Sequence, residues 1–146
     1  MGAGALGPVD PEAGRAGFVL DTSALMRLLL DEPGAEEVQR VLEGDKPVAL
    51  PFMALMEVQY VLLRRLPPER VEHLVAILRA SADVLESERV WGDMAARVKA
   101  GGGLSLGDAW MASLALLRGA VLLHRDPEFE RVPGLRAQWL GLPRTA

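Results

Sequence analysis

The chain contains no cysteine, which removes disulfide frameworks, thiolate metal sites and thiol redox chemistry from consideration. Lysine is scarce: Lys46 and Lys99 are the only two, so the basic side is mostly arginine. With 16 basic against 20 acidic residues and a net charge of −4, the chain is not a generally basic nucleic-acid coat. Long apolar runs are missing as well. No uncharged stretch approaches the roughly 20 residues that span a bilayer, and residues 1–16 show neither the basic start nor the apolar run of a secretory signal. A cytoplasmic protein with no membrane contact is expected. His73 and His124 are not spaced as a zinc pair. There is no Gly-x-x-x-x-Gly-Lys phosphate loop, since Gly101, Gly102 and Gly103 precede no lysine, and no Gly-x-Ser-x-Gly nucleophile elbow.

What is present fits one folded domain. The chain has 146 residues, half of them hydrophobic and a quarter charged, enough to bury about two-thirds of the unfolded surface. Residues 1–16, rich in Gly, Ala and Pro, read as a flexible leader, and residues 17–146 as a single domain. Short apolar runs at Gly17–Leu20, Pro47–Leu50, Asp83–Leu85, Ala120–Leu123 and near Gln138–Leu140 read as strands. Helical patterns lie between them: Ser23–Leu30, Ala35–Leu42, Phe52–Arg65, a further helix to about Ala80, Ser87–Lys99 and Ser105–Leu117. Strands separated by helices imply a mainly parallel sheet of about five short strands, covered on both faces.

Four acids stand where this pattern changes. Asp21 ends the first strand in Phe-Val-Leu-Asp-Thr-Ser-Ala; Asp108 opens a helix in Leu-Ser-Leu-Gly-Asp-Ala; Asp126 ends a strand in Val-Leu-Leu-His-Arg-Asp-Pro. Ligands of open α/β sheets sit outside the carboxyl ends of the strands, which is where such residues fall. Each also has a structural reading: an N-cap for Asp21, a Ser-x-x-Asp capping box for Asp108 with Ser105, a turn for Asp126. Glu57 differs. Its helical neighbours Met53, Ala54, Tyr60 and Val61 are apolar or amphipathic, and a charge on a buried stripe is costly unless paired. An ion pair with Arg64, with Arg65 or with a partner from elsewhere in the chain is the structural alternative. Carboxylates gathered in one place repel unless a divalent cation lies among them, so convergence of the four would mark a metal site.

The same segments resemble the PIN domain family, and more narrowly its VapC-type toxin ribonucleases. Phe-Val-Leu-Asp-Thr-Ser-Ala is similar to that family's opening strand, Met-Glu-Val to its glutamate segment, Leu-Ser-Leu-Gly-Asp-Ala to its helix-opening motif and Val-Leu-Leu-His-Arg-Asp-Pro-Glu-Phe to its closing strand. The resemblance spans about residues 17–142. It implies a three-layer α/β/α fold, often as a homodimer, and a Mg²⁺- or Mn²⁺-dependent ribonuclease whose metal-binding acids are Asp21, Glu57, Asp108 and Asp126. Thr22, Ser23 and Ser105 would be polar helpers, RNA the substrate and a small antitoxin the partner. His124 stands where that family often has Thr or Ser.

Arg27, Arg64, Arg65, Lys99 and Arg125 are candidates for steering a polyanion. Trp110 is expected in the helical core or a dimer seam rather than stacked on a base. The alternatives are an RNA-processing nuclease without an antitoxin, a non-catalytic RNA-binding scaffold, and a phosphatase-like or phosphorelay enzyme with Asp21 as nucleophile. RNA turnover with a divalent ion separates the nucleases from the scaffold, and a trapped aspartyl-phosphate would mark the last.

Overall fold

A computed structural model of the chain describes residues 17–142; the expected leader, residues 1–16, lies outside the described residues, as do residues 143–146. Five short strands form one parallel sheet: β1 (Phe18–Leu20), β2 (Val48–Pro51), β3 (Asp83–Leu85), β4 (Val121–His124) and β5 (Ala137–Trp139). Their spatial order is β3-β2-β1-β4-β5. Six α-helices connect them: α1 (Thr22–Leu29), α2 (Ala35–Glu43), α3 (Phe52–Leu63), α4 (Pro68–Ser81), α5 (Arg89–Ala100) and α6 (Leu106–Arg118). A 3-10 turn, Pro127–Arg131, lies between β4 and β5. The mainly parallel five-stranded sheet expected from the pattern, and the α/β/α fold that the resemblance implies, are the ones observed.

The helix ends follow from local chemistry. The segment after α1 turns at Asp31, whose φ is +52°, and at Gly34, where Pro33 and Gly34 oppose continuation. Pro68 opens α4 at a position that needs no backbone N–H. Gly119 ends α6 in the left-handed conformation that glycine adopts without a Cβ clash.

Strand order places the site. From β1 the chain steps outward to β2 and β3 through α1 to α4, then crosses back through α5 and α6 to β4 on the other side of β1. Parallel crossovers are right-handed, so the reversal puts the two helix groups on opposite faces. It also opens a crevice at the carboxyl ends of β1 and β4, the switch point of an open sheet. β1 and β4 pair directly, with Leu20 opposite Leu123, so the residues that follow both strands emerge side by side.

The core is aliphatic around these strands: Val19, Leu20, Leu50, Leu122 and Leu123 are essentially inaccessible. An aromatic cluster extends it between α3, α5 and α6. The Trp91 and Trp110 rings meet edge to face at 5.2 Å, Phe52 touches both, and the Trp91 indole N–H donates to the Trp110 carbonyl at 2.9 Å. Trp110 is thus a packing residue. Among the described residues no helix is long and apolar enough to cross a membrane.

Candidate metal centre

Asp21 leaves β1 as the N-cap of α1 and is 3% exposed. Its Oδ2 accepts from the Ser23 backbone N–H at 3.1 Å and from the Ser23 hydroxyl at 2.5 Å. Ser23 Oγ in turn accepts the Arg125 backbone N–H at 2.9 Å. One hydroxyl therefore ties the end of β4 to the carboxylate at the end of β1. The capping reading and the ligand reading use different oxygens: Oδ1 is buried with no hydrogen-bond partner among the described residues, and so is Thr22 Oγ1. Buried acceptors are seldom left orphaned. Burial pushes the Asp21 carboxyl up to about 7; the Ser23 hydroxyl opposes this and the Asp108 charge adds to it.

Asp108 lies in the first turn of α6. Ser105 caps that helix, its Oγ accepting the Asp108 N–H at 3.2 Å. The capping half of the Ser-x-x-Asp motif is thus present. The half-buried Asp108 carboxyl is raised to about 6, chiefly by burial; Ser105 lowers it, and the charges of Asp126, Glu57 and Glu128 raise it. Asp108 is the electrostatic hub, because its charge raises Asp21 and it is itself raised by Glu57 and Asp126, acids from three other chain segments.

Asp126 caps the 3-10 turn, its Oδ1 accepting the Glu128 N–H at 3.0 Å. That turn folds Glu128 back toward the site. Asp108, Asp126 and Glu128 each offer a carboxylate oxygen, and the three lie within 4.8 Å of one another. Asp21 and Glu57 fall outside this tightest trio and join it through their charges. Glu57 is half-buried on α3. The Arg64 guanidinium lies over the Tyr60 ring, 5.2 Å from its centroid, and the Glu57 carboxylate faces α6 at Gly107.

Sequence reasoning missed Glu128. The signal was an acid directly after a turn-forming Asp-Pro, and only the tight turn brings it into the group with Asp108. His124 is a buried strand-end residue, 1% exposed. Its Nδ1 accepts the Asp126 N–H at 3.2 Å, so the ring proton sits on Nε2 and the imidazole does the accepting work available to a Thr or Ser oxygen. Phe129 and Trp139 hold the ring edgewise at 5.2 and 5.8 Å. Burial lowers its pKa, which keeps it neutral.

Several steering candidates are otherwise engaged. Arg125 donates to the carbonyls of Leu140 and, at 3.3 Å, Leu142, and stacks on Trp139 at 4.6 Å. Arg27 pairs with Glu32 at 3.1 Å, and Lys99 donates to the Leu104 carbonyl at 2.8 Å. Arg125 is a strut that fastens the segment after β5 to the loop carrying Asp126.

A model of the PIN domain matches residues 18–135. Solved structures share the fold. VapBC2 from Rickettsia felis, bound to a fragment of promoter DNA, superposes with a TM-score of 0.73 at 17% identity, covering 84% of this chain and 98% of that one. DNA-bound VapBC from Salmonella typhimurium gives 0.73 at 25% identity, covering 84% and 96%. VapC20 from Mycobacterium tuberculosis, described as a sarcin–ricin loop cleaving toxin, gives 0.64 at 19%, covering 82% and 99%. No curated protein matches the sequence.

Proposed function

This chain belongs to the PIN domain family, and from its carboxylate cluster we propose that it is a metal-dependent endoribonuclease, the toxin of a toxin–antitoxin pair. The observation that carries the reading is the convergence on Asp108 of acids from three other chain segments. Such a gathering raises carboxyl pKa values and destabilises the empty fold, so it is a poor structural device. The donor set fits a hard cation. It is all oxygen, and it includes a buried Asp21 oxygen that lacks a partner among the described residues.

Asp108, Asp126 and Glu128 would hold Mg²⁺ or Mn²⁺, with Asp21 Oδ1 and Glu57 completing the acidic wall. When bound, the ion supplies positive charge for the scissile phosphate and acidifies an attacking water. The side chains supply the rest. Ser23 fixes the Asp21 carboxylate, Ser105 fixes the turn that presents Asp108, and His124 fixes the backbone of Asp126. Single-stranded or looped RNA suits a recessed acidic crevice, because its backbone can be splayed toward the site.

An antitoxin is the proposed protein partner, supported by the VapBC assemblies among the structural neighbours. A homodimer is proposed as well. Met56, Tyr60 and Leu63, spaced i, i+4 and i+7 and exposed along α3, give an apolar stripe that supports a protein contact.

End-labelled single-stranded RNA tests the activity. Cleavage is expected with Mn²⁺ or Mg²⁺, leaving a 5′-phosphate and a 3′-hydroxyl, and is expected to vanish with EDTA. Cleavage that survives EDTA, or that leaves a 2′,3′-cyclic phosphate, would contradict a metal-activated water. Binding without cleavage would favour the scaffold.

A further inference from the structure

We propose that Gly107 is a positioning residue for Glu57: its missing side chain is the space that lets the Glu57 carboxylate reach the first turn of α6 beside Asp108. The inference rests on the metal-dependent reading of the site and goes beyond it by assigning a role to a residue with no functional group.

Gly107 lies inside α6, between the cap Ser105 and Asp108. Glycine is a poor choice there on helical grounds, because it loses more backbone freedom than alanine on folding. Its φ is negative and ordinary for a helix, so no backbone conformation demands it. Space does. A Cβ on Gly107 would lie 2.5 Å from Glu57 Oε1 and 3.7 Å from Glu57 Cδ, and apart from its chain neighbours and the helix's own backbone it would meet nothing else within 4 Å.

Real Cβ contacts do not approach 2.5 Å, so a methyl group at residue 107 must push the Glu57 carboxylate away. The obstacle is the free end of a flexible side chain and not backbone or packed core. Displacement therefore costs the fold little and costs the site its geometry. Residues that orient a metal's ligands without touching the metal typically change affinity or activity by roughly tenfold to a hundredfold when altered.

The test compares the full-length wild type with G107A, E57Q and the double variant, measuring Mn²⁺ affinity by titration and the thermal midpoint of the metal-free protein. G107A is expected to keep or raise the midpoint, as helix propensity dictates, while weakening Mn²⁺ binding roughly tenfold or more. In the E57Q background the same change should add nothing beyond about twofold, since contacting residues show non-additive effects. Additive losses, or a G107A protein that fails to fold, would overturn the inference by showing that Gly107 serves something other than Glu57. Wild-type affinity in G107A with E57Q impaired would overturn it while leaving the carboxylate site standing. Wild-type affinity in both single variants would remove Glu57 from the site and the inference with it.

Discussion

Asp108→Asn is expected to lower metal-dependent RNA cleavage by at least about a thousandfold, the equivalent of roughly 4 kcal/mol of transition-state stabilisation. Asp108 is the group whose charge is felt by Asp21 and which itself feels Asp126, Glu57 and Glu128. It also belongs to the trio whose oxygens lie within 4.8 Å. Asparagine keeps the size of the side chain and the backbone N–H that Ser105 Oγ accepts, so α6 still starts in the same place. What it removes is an anionic oxygen at the centre of the cluster. Single-turnover cleavage of a labelled RNA, with circular dichroism to verify the fold, measures the effect. Cleavage by the variant within tenfold of wild type would mean that the acids are not the reaction centre.

Asp21→Asn should stabilise the metal-free protein above neutral pH and remove the Asp21 share of the pH dependence that wild type shows. In the folded chain the Asp21 carboxyl ionises near 7, against an ordinary 3.8, chiefly because it is buried. The unfolded chain ionises at the ordinary value. Between pH 7 and about 4 the folded state therefore holds a proton that the unfolded state has released, and stability rises as pH falls through that window. Above 7 both states are ionised and the folded state bears the full cost of a buried charge, on the order of 4 kcal/mol. Asp108, raised to about 6, acts in the same direction at lower pH. His124, whose pKa is lowered by burial, acts oppositely, losing stability as pH falls below the ordinary histidine value.

The difference between wild type and D21N isolates the Asp21 contribution. Asparagine is as good an N-cap as aspartate, so the turn into α1 survives. Thermal midpoints at pH 5 and pH 8 without metal should show the variant gaining most at pH 8. Mn²⁺ at pH 8 should raise the wild-type midpoint and leave D21N nearly unmoved. A wild-type protein that outlasts D21N at pH 8 without metal would contradict the buried, unsatisfied state assigned to Asp21.

The architecture was legible because each element announces itself locally. Asp83–Leu85 is β3 with the bounds the sequence implied, Pro68 opens α4 and Gly119 ends α6 where their backbone chemistry requires. Asp21 and Asp126 were legible for a related reason: an acid directly after an apolar strand of a parallel sheet falls at its carboxyl edge. What stayed hidden depends on contacts between segments far apart in the chain. Glu128 needs the 3-10 turn to fold it back toward Asp108. Arg125 is indistinguishable in sequence from a free phosphate-steering arginine until the Leu140 and Leu142 carbonyls and the Trp139 ring arrive beside it. His124 departs from the hydroxyl expected at its position, yet its Nδ1 accepts the same kind of backbone bond. Gly107 carries no chemistry, and only the approach of Glu57 from α3 gives it meaning.

The central claim is that carboxylates from separate segments jointly hold one divalent ion or a close pair. Diffraction from crystals grown with Mn²⁺, recorded at the manganese absorption edge, tests it most directly. The account predicts an anomalous peak in the crevice beyond β1 and β4, bounded by Asp21, Asp108 and Asp126. Manganese bound elsewhere on the chain with that crevice empty, at concentrations that support cleavage, would contradict it.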